Sequence, residues 1–398
     1  ILLENGRIAS MGEGETPDCG KVIDGEGGVL TPGLIDIHSH IGLYEDGLGF
    51  EGADGNEDTD PATPHLRALD GVNPFDRSFR EALEAGVTAA AVSPGSAGRR
   101  VDDMILKAPL AIKFALGENP KSVYHDKDET PVTRMATAGI IREELYKAKE
   151  YFSRKARAED DPEQDEPDFD IKMEALQPLL WGKAEAHFHA HRADDIFTAL
   201  RIAKEFGLRA VIIHGTEAHL VADLLAEEHV PVVSGPYMTD RSKPEIRNLS
   251  DAAPGLLCKA GIETAITVDH PEIPLRLLPM ALMLAVRAGM DKTDALRAVT
   301  SVPAKIAGMQ DRIGSLKTGL DADCVLWSGD PLDIVNNLSD FIFSIIKALG
   351  VIILGWGIVQ VGLRFQSHDP SQRSNGFLTL AGGVIITIAK EILNLIVG

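Results

Sequence analysis

The chain has 398 residues and a formal net charge of −21. That length exceeds one small domain and suits a barrel-sized unit with an appendage, while the acidic balance argues against a general nucleic-acid binder, because phosphate contacts need a basic face. Three scattered cysteines, Cys19, Cys258 and Cys324, read as free thiols of a reducing compartment rather than a disulfide framework. With no signal peptide evident, the main unit is expected in the cytoplasm, although the chain begins at Ile1.

The first strong element is the strand predicted over 31–40, where Pro32-Gly33 punctuates the entry and Leu34, Ile35 and Ile37 supply strand formers. A helix over 75–85, stopped by Gly86, leads into a strand over 87–92. Acidic residues 158–168 read as a solvated loop. Ile196, Leu200 and Ala203 give residues 194–206 an amphipathic helical spacing that stops at Gly207. A strand over 209–214, a helix over 219–228 and strands over 230–234 and 265–269 follow. Near-continuous apolar strands alternating with helices mean a parallel sheet covered by helices. Polar chemistry at strand ends favours an α/β fold of the (β/α)8-barrel type. Residues 93–102 run straight from Ser93-Pro-Gly to Arg99-Arg100.

His38 and His40 stand two residues apart, so on a strand both project from one face and can converge on one ion. Neutral imidazoles held in this way suit a borderline divalent cation such as zinc. Residues 186–192 place His187, His189 and His191 on one strand face, His214 ends the strand over 209–214, and Asp269 ends the strand over 265–269. At the C-terminal mouth of a barrel these groups would meet His38 and His40 in a histidine-rich site with one carboxylate. Within residues 44–67, His65 and Arg67 are candidates to meet a polar substrate.

Five segments carry a resemblance to a known family. They are residues 29–40, ending in His38-Ser-His40; 186–196, from Ala186-His-Phe-His-Ala-His191; 212–216, around His214; 266–271, around Asp269-His270-Pro271; and 295–326, through Gly314-Ser315 and Gly319-Leu-Asp-Ala-Asp323. In that order they resemble the metal-dependent amidohydrolase superfamily, within its imidazolonepropionase-like branch. The resemblance implies His38 and His40 as first-strand metal ligands, His189 (or His191 by a shifted register) and His214 as further ligands, and Asp269 as both ligand and proton shuttle. Lys113, as a carbamate, and Glu118 are alternative bridging ligands. His65, His191 and His270 are candidates to stabilise an oxyanion. One or two divalent ions, zinc foremost, would activate water for hydrolysis of a C–N bond in a small amide, cyclic amide or dipeptide-like molecule, other than ordinary peptide bonds. Ring deamination on the same residues is the alternative, and oligomerisation is compatible with either.

The implied layout is a partial flanking β-domain over 1–30, the metal-dependent barrel over 31–313, short by one strand because relatives carry an additional glycine-rich stretch with a strand where residues 93–102 stand here, a partial return to the β-domain over 314–334, and a different kind of sequence over 335–398. Residues 341–363 and 377–397 are two apolar runs of about the ~20 residues a spanning helix needs, joined by a polar loop over 364–376. Lys347, Arg364, Arg373 and Lys390 against Asp340, Asp369 and Glu391 leave this tail at +1 and the remainder of the −21 at −22. The tail is expected to form a two-helix membrane hairpin partnered by lipid bilayer, with glycine-lined faces packed closely. It resembles, more weakly, the small two-helix pilin-like subunits of conjugative secretion systems. On that basis a non-catalytic membrane assembly subunit carrying an inactive amidohydrolase remnant is a further alternative.

Overall fold

The computed structural model describes all residues except 15–19, 46–48, 92–103, 162, 333, 365–369 and 390–398. The chain divides into two compact units, Ile1–Leu332 and Asp333–Gly398.

The first unit opens with an antiparallel hairpin of β1 (Leu2–Glu4) and β2 (Arg7–Ser10). Its turn places Asn5 at φ 51° and Gly6 at φ 75°, the left-handed pair that matches the twist of two-residue hairpins. After β3 (Val29–Pro32) the chain passes through Gly33, where an added Cβ would run into Thr88 Oγ1 and the Asp323 carboxylate. Only glycine lets the backbone enter β4 (Leu34–Asp36) there.

β4 pairs in parallel with β5 (Val87–Ala90). A five-stranded parallel sheet follows, built from β6 (Ala111–Ala115), β7 (Glu185–Ala190), β8 (Ala210–His214), β9 (Val232–Ser234) and β10 (Thr264–Ile266), hydrogen-bonded in sequence order. Residues 298 and 299 tie its far edge to β4: the Ile266 N–H donates to the Ala298 carbonyl at 2.9 Å and the Ile35 N–H to the Val299 carbonyl at 2.7 Å. Every residue of β4, β7, β8, β9 and β10 is buried, as strands covered on both faces require. Phe188, Ile196, Leu200, Ile212 and Val232 belong to one core cluster, whereas Ile35, Ile37, Val211, Ile213 and Ala265 pack with Ala304 and Ile306 in another. This is the barrel-like α/β arrangement expected. The segment expected to lack a strand, 93–102, lies outside the described residues.

β11 (Cys324–Trp327) pairs antiparallel with β3, and the Trp327 indole N–H donates to Thr31 Oγ1 at 2.8 Å. The Ile8 N–H donates to the Leu320 carbonyl at 2.9 Å and the Gly319 N–H to the Ile8 carbonyl at 2.8 Å. These bonds tie the opening hairpin to residues 319 and 320, just before β11.

Several expected boundaries move. The strand over 31–40 ends at Asp36, because the Asp36 carboxylate captures the His38 N–H at 3.0 Å and competes with ladder pairing. The strand over 265–269 ends at Ile266, three residues before Asp269. The helix over 219–228 is a 3-10 turn, Ala218–Val221, followed by an α-helix, Ala222–Glu228. A 27-residue helix, Arg134–Asp160, capped by Thr133 Oγ1 accepting from the Ala136 N–H, takes up the start of the acidic run read as loop.

The second unit is a pair of helices, Ile334–Arg364 and Pro370–Thr387. They run antiparallel with glycines at the contact. A Cβ on Gly350 would meet Thr387 N at 2.6 Å, one on Gly357 would meet Leu380 Cα at 2.7 Å, and one on Gly383 would meet Leu354 N at 2.5 Å. The close glycine packing is therefore present, but the expected membrane hairpin is corrected in two respects. Residues 370–376, read as loop, are helical, so the second helix opens on polar Ser371-Gln-Arg-Ser-Asn375, which dilutes its apolar character. Among the described residues no helix is long and apolar enough to cross a membrane, so the expected spanning hairpin and its lipid partner find no support there.

Candidate metal centre

Strand ends and the turns just beyond them deliver the polar groups. His38 and His40 follow β4, His189 lies on β7 with His191 one residue past it, His214 ends β8, and Asp269 follows β10. Parallel strands put all these ends on the same side of the sheet. Two sets result: His38, His40 and Asp269, and His189, His191 and His214, with the candidate ligand atoms of each within 4.8 Å of one another.

Asp269 touches both. Its Oδ1 lies 3.3 Å from His38 Nε2 and 3.6 Å from His40 Nε2, and its Oδ2 lies 3.9 Å from His214 Nε2. The rings of His189 and His214 meet edge to face at 4.5 Å, and those of His191 and His214 stack at 4.7 Å. His214 and Asp269 are both held at positive φ, 72° and 52°. Left-handed backbone at two non-glycine residues is strain that the surrounding packing must sustain, and such strain gathers at functional sites.

Hydrogen bonds aim these groups. Asp36 is fully buried; its Oδ1 accepts from the His38 N–H and its Oδ2 from the Val268 N–H at 3.1 Å. The Thr267 hydroxyl donates to the His38 carbonyl at 2.6 Å and accepts the Asp269 N–H at 2.9 Å. Together they stitch the end of β4 to the turn after β10. His214 Nδ1 donates to the Gly235 carbonyl at 2.9 Å, which fixes the tautomer and leaves Nε2 with its lone pair toward Asp269. His191 Nδ1 pairs with Thr216 Oγ1 at 2.8 Å, while its Nε2 faces Glu245 Oε1 at 3.8 Å. The Leu275 N–H donates to His270 Nδ1 at 3.3 Å, so the His270 proton sits on Nε2.

Electrostatics keep the site ready for a cation. Burial, reinforced by the charge of Lys113, lowers His38 well below the usual histidine range and His40 to about 4. Burial likewise depresses His189, His191 and His214. Neutral imidazoles are the form that binds metal. For Asp269 burial pushes upward, but the His38 contact and the charges of His38, His214 and Lys113 outweigh it and hold the carboxyl far below the usual range. Asp36 is pushed up to about 7 by burial, its two accepted backbone N–H groups opposing.

The donor set fits a divalent cation. His38 Nε2 and Asp269 Oδ1 are buried and, despite their 3.3 Å approach, neither makes a hydrogen bond of good geometry. Buried polar atoms left this way are costly unless a ligand satisfies them.

Of the two bridging candidates, Lys113 reaches the site: its Nζ lies 3.2 Å from His40 Nε2, and desolvation lowers its pKa even though the residue keeps exposed surface. Glu118 opens the helix Glu118–His125, where its backbone N–H donates to Glu245 Oε2 at 2.8 Å. Arg67 is not brought to the histidines; its guanidinium is exposed and paired with Asp70 at 3.0 Å. His65 acts electrostatically on Asp60. Sequence reasoning passed over Asp36, Thr267, Thr216, Asn119, Lys243 and Glu245. The Asp36-x-His38 spacing was the one available signal, since a strand-end carboxylate two residues before a ligand is placed to take that ligand's N–H.

Comparison with known proteins was then decisive. Residues 179–354 match the amidohydrolase family model. A solved amidohydrolase from Thermotoga maritima is 45% identical, with a TM-score of 0.80 over 84% of this chain and 90% of that one. The chain belongs to the amidohydrolase family. Amidohydrolase tasK of Hapsidospora irregularis is 29% identical over 84% of this chain, which spans only 38% of the length of that relative. An imidazolonepropionase of Sphingopyxis alaskensis is 23% identical over 85% of this chain and 88% of its own length. The superfamily and its hydrolase character therefore stand as expected from the sequence, and the site residues could hold a divalent metal.

Proposed function

We propose that this amidohydrolase is a metal-dependent hydrolase of C–N bonds in small amides or cyclic amides, with zinc as the preferred ion. The observation that carries the reading is the position of Asp269, which touches His38 and His40 on one side and His214 on the other. His38, His40, Asp269, His189 and His214 would hold one or two ions, with Lys113 the better placed bridging group. Such an ion, when bound, supplies Lewis-acid polarisation and makes water acidic near neutral pH.

The chain's own groups do the rest. Asp269, held ionised, takes the proton from the attacking water and returns it to the leaving nitrogen. His214, anchored through Nδ1 on the Gly235 carbonyl, cannot turn away and keeps Nε2 toward that carboxylate. His270, with its proton on Nε2, and His191 are the candidates to donate to a developing oxyanion. Asp36 and Thr267 keep the first and last strand ends in register, so the base does not drift from the first pair of histidines.

The test is hydrolysis of a panel of amides, cyclic amides and ring amines by the full chain, stripped by chelator and then reloaded with zinc. Metal-dependent release of amine with opening of the amide supports the proposal. Release of ammonia from intact rings would transfer the site to deamination, and a reloaded protein inert toward the whole panel would refute it.

A further inference from the structure

The rim of the site carries a cation that the proposed hydrolysis leaves without a task. Lys243 precedes the 3-10 turn Pro244–Ile246, in the loop after β9, and is half-buried. Its Nζ donates to Asn119 Oδ1 at 2.7 Å, and the Nδ2 of the same amide lies 3.4 Å from His189 Nε2. A single asparagine amide thus spans the distance from this ammonium to the second set of histidines. The charge of Lys243 is felt by both His191 and His214.

The neighbouring cations are already engaged. Arg192 holds Asp194 at 2.8 Å, Arg134 holds Asp195 at 2.9 Å, Arg247 faces Glu217 at 4.0 Å, and Lys113 lies against His40. Lys243 has an amide as its hydrogen-bond partner, and among the described residues no carboxylate forms an ion pair with it. Glu245, two residues on, is buried and accepts the Glu118 N–H at 2.8 Å, so it lowers the local potential without neutralising the ammonium by contact. A half-buried ammonium resting on an amide is poised to exchange that neutral acceptor for an anionic one, because a charge-assisted bond is roughly twice as strong.

We propose that Lys243 is the anchor for a carboxylate on the leaving side of the substrate, which makes the substrate class N-acyl amino acids and short peptides ending in a free carboxylate. This deepens the hydrolase reading and rests on it for the reacting end. Covalent geometry agrees with the spacing. In an N-acyl amino acid the carboxylate carbon stands two bonds, about 2.5 Å, beyond the scissile nitrogen. A carbonyl seated among the histidines therefore carries its acid one amide's breadth away, toward the rim where Asn119 hands over to Lys243.

The experiment pairs N-acyl amino acids with their C-terminal carboxamides, using the zinc-loaded full chain. Binding is measured by calorimetry and turnover by steady-state kinetics. The wild-type protein is expected to bind and turn over the acids about 10–100-fold better than the carboxamides. In Lys243→Met that ratio falls toward one, and in Lys243→Arg most of it is retained. Lys243→Gln, which removes the charge but can still donate to Asn119, is expected to follow the methionine variant and guards against a loss that only reflects altered folding. A wild-type protein without preference for the acids, or a preference equal in wild type and Lys243→Met, overturns the anchor. An acid preference lost in Lys243→Met without turnover of any amide would uphold the anchor and sink the hydrolase reading alone.

Discussion

The two sets of histidines at the barrel mouth are built on different principles. The first, His38, His40 and Asp269, contains a carboxylate and is locked by buried hydrogen bonds from Asp36 and Thr267 that join β4 to the turn after β10. The second, His189, His191 and His214, is all imidazole and is oriented by single contacts to Thr216 and the Gly235 carbonyl. Charge and cross-strand stitching make the first set the stronger cation holder, while the second meets carboxylates only at its margins, where Asp269 faces His214 and Glu245 faces His191. A symmetrical cage would have needed a carboxylate in each set. On the proposed function, the carboxylate between them would both help to hold a cation and move a proton.

The largest expected effect comes from removing that shared group. Asp269→Asn should lower kcat/KM for any amide the wild-type protein hydrolyses by about 10²–10⁴-fold, measured at saturating zinc; a drop within about threefold would break the claim that the two sets share one base. Acid stability of the metal-free protein sharpens the contrast next. His40 is held at about 4 in the folded chain against an ordinary 6.5, so on acidification the unfolded chain takes up the proton first. Stability is therefore retained above about pH 6.5 and falls as pH drops toward 4, by up to about 3 kcal/mol from this residue. Denaturant melts of wild type and His40→Gln across that window should converge at the acid end. Thr267→Val strands the His38 carbonyl and the Asp269 N–H and should cost about 1–3 kcal/mol, with metal affinity reduced. Thr216→Val frees only one edge of His191 and should cost about 0.5–1.5 kcal/mol. If Thr216→Val proves the more damaging of the two, the first set is not the better braced.

Much of this was legible in the sequence, and for identifiable reasons. Alternating apolar strands with a histidine or aspartate at their ends read directly as a parallel α/β fold with a polar mouth, because burial on both faces leaves only the strand ends for chemistry. His38, His40, His189, His214 and Asp269 were singled out by that rule together with the family resemblance, and the fold brings them together. Asp36 and Thr267 were not, because their roles depend on hydrogen bonds between residues more than two hundred positions apart. Lys243 and Asn119 escaped for the same reason: a lysine in a polar loop carries no sequence mark of the histidine to which its partner reaches. Arg67 makes an exposed ion pair with Asp70 three residues on, as common a use for an arginine as substrate binding, and the sequence alone does not separate the two. In the second unit the glycine contacts were foreseen, but among the described residues no helix is long and apolar enough to cross a membrane. Helix formation extended into polar residues 370–376, and composition does not fix where a helix begins.

The most direct measurement is bound metal per chain, by elemental analysis, on the full-length protein beside the His38→Ala/His40→Ala and His189→Ala/His214→Ala variants. The account predicts at least about one equivalent of a divalent ion in the wild type. It also predicts a greater loss from the first pair of substitutions than from the second. A folded wild-type chain that takes up no divalent ion even when zinc is supplied would contradict it.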